Sequence, residues 1–176
     1  LISFLKEQSD CSVIAVNGIN NNAKSIFYLL GFNTGKLNHY YLFSNYANTN
    51  CLQLSEKFEK NFVNKSGDFW QEIFLTDLNK LIKDKHNIGL NSFKTITYLK
   101  NKYLKNNFYQ YKIYKIFGKY NEFGLIILKI IKVQNVNVLR IIDYLGNENI
   151  LLNSGKGLDK VMKKYNVEYV DFLNYG

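Results

Sequence analysis

The sequence predicts an α/β (α+β) chain built on a mixed sheet with helices on its faces, and three observations predict it. Short apolar segments of strand length recur at residues 12–16, 124–131 and 138–145, with turn residues between segments. Other segments place apolar residues three and four apart, the spacing of one helix face. The last third of the chain reads as a meander followed by strand, helix, strand, a succession that combines antiparallel and parallel pairing in one sheet.

The elements follow in order. Residues 1–8 read as the end of a helix and 12–16 as a buried strand. Asn20, Asn21 and Asn22 offer side-chain oxygens to the unpaired N–H groups of a first helical turn. The helix that follows carries Ala23, Ile26, Phe27 and Leu30 on one face and stops at Gly31. Residues 37–43 form an aromatic-rich strand. Residues 46–92 are more polar and mostly helical, with one helix over 52–63 and a clearer one over 69–83, where Ile73, Phe74, Leu78, Leu81 and Ile82 share a side. Then come a strand at 109–117, a turn at 118–124 and a returning strand at 125–132. A third strand at 138–145, a helix over 149–165 and a fourth strand at 168–173 complete the chain. The near-continuous apolar character of 13–16 and 138–145 places both strands inside the sheet, covered on both faces.

Composition narrows the function. The net charge of +9 comes from 22 Lys and a single Arg, Arg140, in a chain without Pro and rich in Asn, Ile, Tyr and Phe. That pattern follows from an AT-rich coding sequence. Nucleic-acid readers lean on Arg for bidentate contacts, so nucleic acid is not the expected partner. Cys11 and Cys51 have no metal-ligand spacing, and His39 and His86 lie far from them in sequence; free thiols and no metal are expected. No apolar run reaches the ~18 residues that span a bilayer, and no signal peptide is visible; a cytoplasmic chain with no membrane partner is expected. The chain starts without Met and stops after an apolar run, which reads as a piece of a longer protein.

The sharpest motif is Asn20-x-x-Ala23-x-x-x-Phe27-x-x-x-Gly31-Phe32. It resembles the N-x-x-A-x-x-x-Y-x-x-x-G-F signature of the GNAT (acyl-CoA N-acyltransferase) superfamily. Residues 93–176 resemble a second GNAT-like module by the order and texture of Tyr98, Tyr103, residues 107–114, 138–146 and 168–172. Tandem modules of this sort occur in bacterial surface-polysaccharide clusters. The resemblance implies residues 1–45 as the C-terminal part of a first module, 46–92 as a helical connector, and 93–176 as the N-terminal and central part of a second. It implies acyl transfer from acetyl-CoA to an amine, with an amino sugar as acceptor class. It places Asn20 and Ala23 beside the pantetheine arm.

In that family a glycine loop after the central strand holds the CoA pyrophosphate on backbone N–H groups; the matching G-x-G here is Gly155 and Gly157, without the Gln or Arg that usually precedes it. The Tyr that protonates the leaving thiolate is replaced by Phe27. Tyr28 stands beside it, turned by ~100° around the helix. Tyr28 and Asp143 are the candidate catalytic residues, Asp143 as a general base at a strand end with Glu148 and Asp171 as possible neighbours. Arg140 and Asp143, three apart on a strand, face opposite sides and cannot pair. The alternative is a non-catalytic GNAT-like binding module for nucleic acid or a protein partner, with the Tyr and Lys alternation at 109–115 as its face.

Overall fold

The computed structural model describes residues 19–44, 69–81, 94–106, 108–118 and 122–174. The expected elements at 1–8, 12–16 and 52–63, and Cys11, Cys51 and His86, lie outside the described residues. The chain divides at Leu37/Asn38 into two units.

In the first unit Asn20, the first of the three Asn residues, caps the helix. Helix α1 spans Asn21–Leu29; Asn20 is its N-cap, and its Oδ1 accepts from the Ala23 N–H at 2.8 Å. Gly31 takes φ +81°, the left-handed conformation that ends a helix without a Cβ penalty. Phe27 and Phe32 then meet edge to face across this cap, with ring centroids 5.6 Å apart.

The second unit is a six-stranded mixed sheet in the order β1-β6-β5-β4-β3-β2. Its strands are β1 (Asn38–Phe43), β2 (Trp70–Ile73), β3 (Tyr111–Phe117), β4 (Phe123–Val133), β5 (Val136–Leu145) and β6 (Val167–Asn174). Every neighbouring pair is antiparallel except β5 and β6. Residues Phe123 to Leu128 of β4 are all buried. Leu125 and Ile127 enter one apolar cluster with Ile113 and Leu145, while Ile126 and Leu128 enter a second with Leu139 and Val161. A strand covered on both faces reads as an unbroken apolar run, and β4 does. The interior position expected for 138–145 holds, since β5 lies between β4 and β6.

Helices cover each face. On one side lie α2 (Leu75–Leu81) and α3 (Ile96–Leu99), the latter continuing as a π-turn over Lys100–Leu104. On the other lie α4 (Glu148–Leu152) and α5 (Gly155–Lys164). Among the described residues no helix is long and apolar enough to cross a membrane.

Two helices differ from expectation. The helix expected over 69–83 is split. Residues 70–73 form β2 on the sheet edge beside β3, and α2 begins only at Leu75. The Asp77 carboxylate reaches back to accept from the Phe74 N–H at 3.1 Å, half of a capping box that fixes this start. The helix expected over 149–165 breaks at Asn153 and Ser154. Asn153 Nδ2 donates to the Asn149 carbonyl and Ser154 Oγ to the Leu151 carbonyl, so side chains take over backbone acceptors there. After α5, Asn166 at φ 48° turns the chain into β6.

β2 is tied to its surroundings by charge. Lys112 Nζ lies 3.0 Å from Glu72 Oε1, Lys164 Nζ lies 2.8 Å from Oε2, and the hydroxyls of Tyr114 and Tyr165 reach the same oxygen. Burial alone would raise the Glu72 carboxyl, but bonds from Lys164 and Lys112 outweigh it and hold the group at about 2 against its ordinary 4.5. The unfolded chain therefore takes up this proton at higher pH than the folded one. The contribution of Glu72 is fully present above the ordinary value and is lost as pH falls toward about 2. Urea denaturation between those limits is expected to show a shallower acid decline in Glu72→Gln than in the parent. An unchanged acid limb would refute this assignment.

Candidate functional site

The site follows from a defect in β5. Ile127 of β4 pairs with Asp143, whereas Leu128 pairs with Ile141, so Ile142 is an extra residue without a partner. A bulge of this kind reverses the side-chain alternation beyond it. Leu139, Ile141 and Tyr144 pack toward α5, while Ile142 and Leu145 pack toward α2 and α3. Arg140 and Asp143 consequently share a face, and the expectation that they face opposite sides is corrected. They do not pair, because each carries its own partner.

Arg140 is paired across the sheet. The parallel register sets it opposite Asp171 of β6. Arg140 Nε donates to Oδ1 at 2.9 Å and to Oδ2 at 3.0 Å, and Nη2 donates to Oδ2 as well. The carboxylate raises the pKa of the guanidinium further above its ordinary value. The Asp171 side chain is only 3% exposed, a burial that an ionised carboxylate tolerates when it is paired and hydrogen-bonded.

β1 completes the group from the other side of β6. Its register places Tyr41 opposite Asp171 and His39 opposite Leu173. His39 Nε2 lies 3.3 Å from Asp171 Oδ2, and the Tyr41 hydroxyl lies 2.6 Å from His39 Nδ1, with the ring centroids 4.1 Å apart and the planes tilted by 39°. The tautomer that satisfies both contacts carries hydrogen on Nε2, donated to the carboxylate, and leaves Nδ1 to accept from Tyr41. The line Tyr41–His39–Asp171–Arg140 thus runs from solvent to the buried Asp171 carboxylate, which Arg140 holds. His39 is 36% and Tyr41 48% exposed at its open end.

The sheet also opens here. Parallel pairing between β5 and β6 ends at Ile141 and Phe172, although β5 continues to Leu145 and β6 to Asn174. His39, opposite Leu173, stands one register step past that point. Strand direction changes at β5, antiparallel to β4 and parallel to β6. Ligands of open sheets with parallel strands collect beyond the carboxyl ends of strands where the topology changes.

The residues singled out from sequence fall in several places. Asp143 is on the same face as Arg140 but is occupied: Lys94 Nζ lies 2.6 Å from both its oxygens, the Tyr103 hydroxyl donates at 2.8 Å and the Tyr144 N–H at 3.0 Å. Burial and the bond to Asp143 push the Tyr103 phenol up. Asp143 fastens α3 to β5, and Asp171 joins Arg140 rather than Asp143. Glu148 is an exposed first residue of α4. Gly155 opens α5, and Gly157 lies buried beneath the Trp70 indole. Asn20, Ala23 and Tyr28 belong to the first unit. There Asn20 is used as a cap, and Tyr28, 72% exposed, lines a groove with Asn21, Lys24, Ser25, Leu29 and Thr34.

Sequence reading passed over His39 and Tyr41. Their spacing of two on a strand puts them on one face, which was legible; their meeting with Asp171 depends on register, which was not. Among the described residues no group of three or more His, Cys, Asp or Glu is placed to hold a metal ion. The sequence matches no protein-family model and no curated protein.

Proposed function

We propose that residues 38–174 form a GNAT-like N-acyltransferase module that carries an acetyl group from acetyl-CoA to an amine, with Tyr41, His39 and Asp171 as its proton relay. In this reading the Asn20–Phe32 motif is the tail of a preceding module. The observation that carries the proposal is the β5/β6 pair, bulged at Ile142 and unpaired past Ile141, with the His39 dyad at its mouth.

The residues fit the cofactor in two respects. Backbone N–H and C=O groups of β5 past Ile141 face no β6 partner and suit the amides of an extended arm. The N-terminus of α5, at Gly155 and Lys156, has no side-chain cap and suits an anion. Acetyl-CoA, when bound, supplies the thioester carbon and the departing thiolate.

The chain's own part is proton movement. Tyr41, the exposed end of the relay, accepts a proton from the attacking amine as its own hydroxyl proton passes to His39 Nδ1. Asp171, held by Arg140, stabilises the imidazolium that results. The same path in reverse delivers the proton to the leaving sulfur, so amine and thioester become amide and thiol with no net proton change.

The test uses the full-length protein. Millimolar CoA or acetyl-CoA is expected to raise its Tm by several degrees through mass action. Thiol release with a panel of amines, amino sugars included, is expected to fall ~10²–10⁴-fold in His39→Gln. No thermal shift and no thiol release would defeat the proposal. Binding without turnover in any acceptor would leave a CoA-binding module in place of an enzyme.

A further inference from the structure

The π-turn and the start of β3 carry an exposed aromatic surface that nothing above uses. Asn106 Oδ1 accepts from the N–H groups of both Phe108 and Tyr109 at 2.9 Å, fixing the turn that presents them. Phe108 is 92% exposed and Tyr109 50% exposed. A turn held by its own hydrogen bonds is thus spent on projecting a benzyl group into water, where the free energy of burying it is forfeited.

Lysines ring this tip. Lys129 Nζ sits 3.7 Å from the Tyr109 ring centroid, and Lys102 Nζ lies 5.0 Å from that of Tyr98, itself partly exposed. Lys105 is exposed one residue before Asn106. No acidic residue occurs in the sequence between Asp84 and Glu122. The carboxylate that reaches this region from β5, Asp143, is occupied by Lys94 and the Tyr103 hydroxyl.

We infer that this tip docks on the surface of an anionic bilayer, with Phe108 entering the boundary between headgroups and acyl chains and Lys102, Lys105 and Lys129 meeting the lipid charge. Lying on a membrane needs no spanning segment, so the lack of a long apolar run does not bear on it. Two features favour lipid over nucleic acid. The tyrosine rings that a base would stack on already carry lysine ammoniums, which leaves Phe108 as the open ring. The patch has Lys and no Arg, which suits diffuse headgroup charge better than bidentate phosphate or base contacts.

The experiment is co-flotation of the full-length protein with vesicles of phosphatidylcholine alone and with about one-third phosphatidylserine. Binding to the anionic vesicles is expected, and little to the neutral ones. Phe108→Ala should reduce partition about tenfold, from the lost apolar insertion. Lys102→Gln with Lys105→Gln should reduce it roughly twenty-five-fold, at about fivefold per charge near the surface. Phe108→Trp should bind at least as well as the parent. An unchanged Tm in Phe108→Ala, expected of so exposed a side chain, separates lost docking from lost folding. The inference is overturned if anionic vesicles fail to bind, if Phe108→Ala partitions like the parent, or if a single-stranded oligonucleotide displaces the vesicles.

Discussion

Asp171→Asn is expected to lower stability by about 3 kcal/mol and to abolish turnover, the largest combined effect of any single change in the relay. The substitution keeps the shape of the side chain and removes the charge. Arg140 then loses its counter-ion, and the site left opposite it is buried, with a side chain only 3% exposed. Breaking such a pair costs more than the pair is worth, because one ion remains without compensation. Arg140 itself is 40% exposed and can turn toward water, which sets the estimate at the lower end of the range of about 3–5 kcal/mol for fully buried pairs. The double change Arg140→Leu with Asp171→Leu separates the two roles. Stability should recover in part, since no unpaired ion remains, although Leu is bulkier than Asp at so buried a position; His39 still lacks its carboxylate and turnover stays lost. Chemical denaturation and thiol release measure the two quantities independently. If Asp171→Asn retains full activity, the relay is not the proton path.

Gly157→Ala is expected to destabilise by about 2 kcal/mol, although alanine in a helix ordinarily gains about 1 kcal/mol over glycine. The reversal has a single cause. A Cβ at Gly157 would fall inside the indole of Trp70, against Cδ1, Nε1 and Cγ, and a ring cannot yield as a flexible chain end does. Among the described residues Trp70 Nε1, which is buried, has no hydrogen-bond partner, so packing holds the indole against α5. The clash therefore pushes β2 and α5 apart and opens the cavity of about 260 Å³ that lies between Trp70, Glu72, Lys160 and Lys164. Trp70 is the only tryptophan, so its emission should shift to the red in step with the loss of stability. Trp70→Val combined with Gly157→Ala should recover part of the loss, because the smaller side chain leaves room for the methyl group. Emission and stability both unchanged would mean that the glycine is there for another reason.

These two sites mark what the sequence disclosed and what it withheld. β4 and β5 were legible because an unbroken apolar run of strand length has few other homes, and Asn20 and Gly31 were legible as the ends of α1 because capping is local chemistry. β2 was misread because Phe69, Trp70, Ile73 and Phe74 keep helical spacing, with no apolar/polar alternation to mark a strand. Pairing with β3 decided for the strand, and pairing is a long-range fact. Arg140 and Asp143 were assigned by parity, which holds only while the ladder is regular; the extra residue at Ile142 has no local signature. Gly157 was noticed for its G-x-G spacing, and the indole pressed against it could not be seen from there. His39 and Asp171 meet through two registers at once, β1 on β6 and β6 on β5, and neither is written in the residues themselves.

The pairing of β1 with β6 also orders the way the molecule comes together. The β4–β5 hairpin closes over the short turn at Gln134 and Asn135, whereas His39 and Asp171 are separated by 132 residues. Each doubling of a closed loop costs about 0.6 kcal/mol of chain entropy, so the longer closure carries roughly 3–4 kcal/mol more than the shorter one. Contacts so distant in the chain are made late, after the local hairpins have formed a surface to receive them. β1 contributes few fully buried side chains to repay that cost. The strand that delivers His39 is thus a late-closing margin of the sheet, and the histidine acquires its carboxylate only when that strand docks.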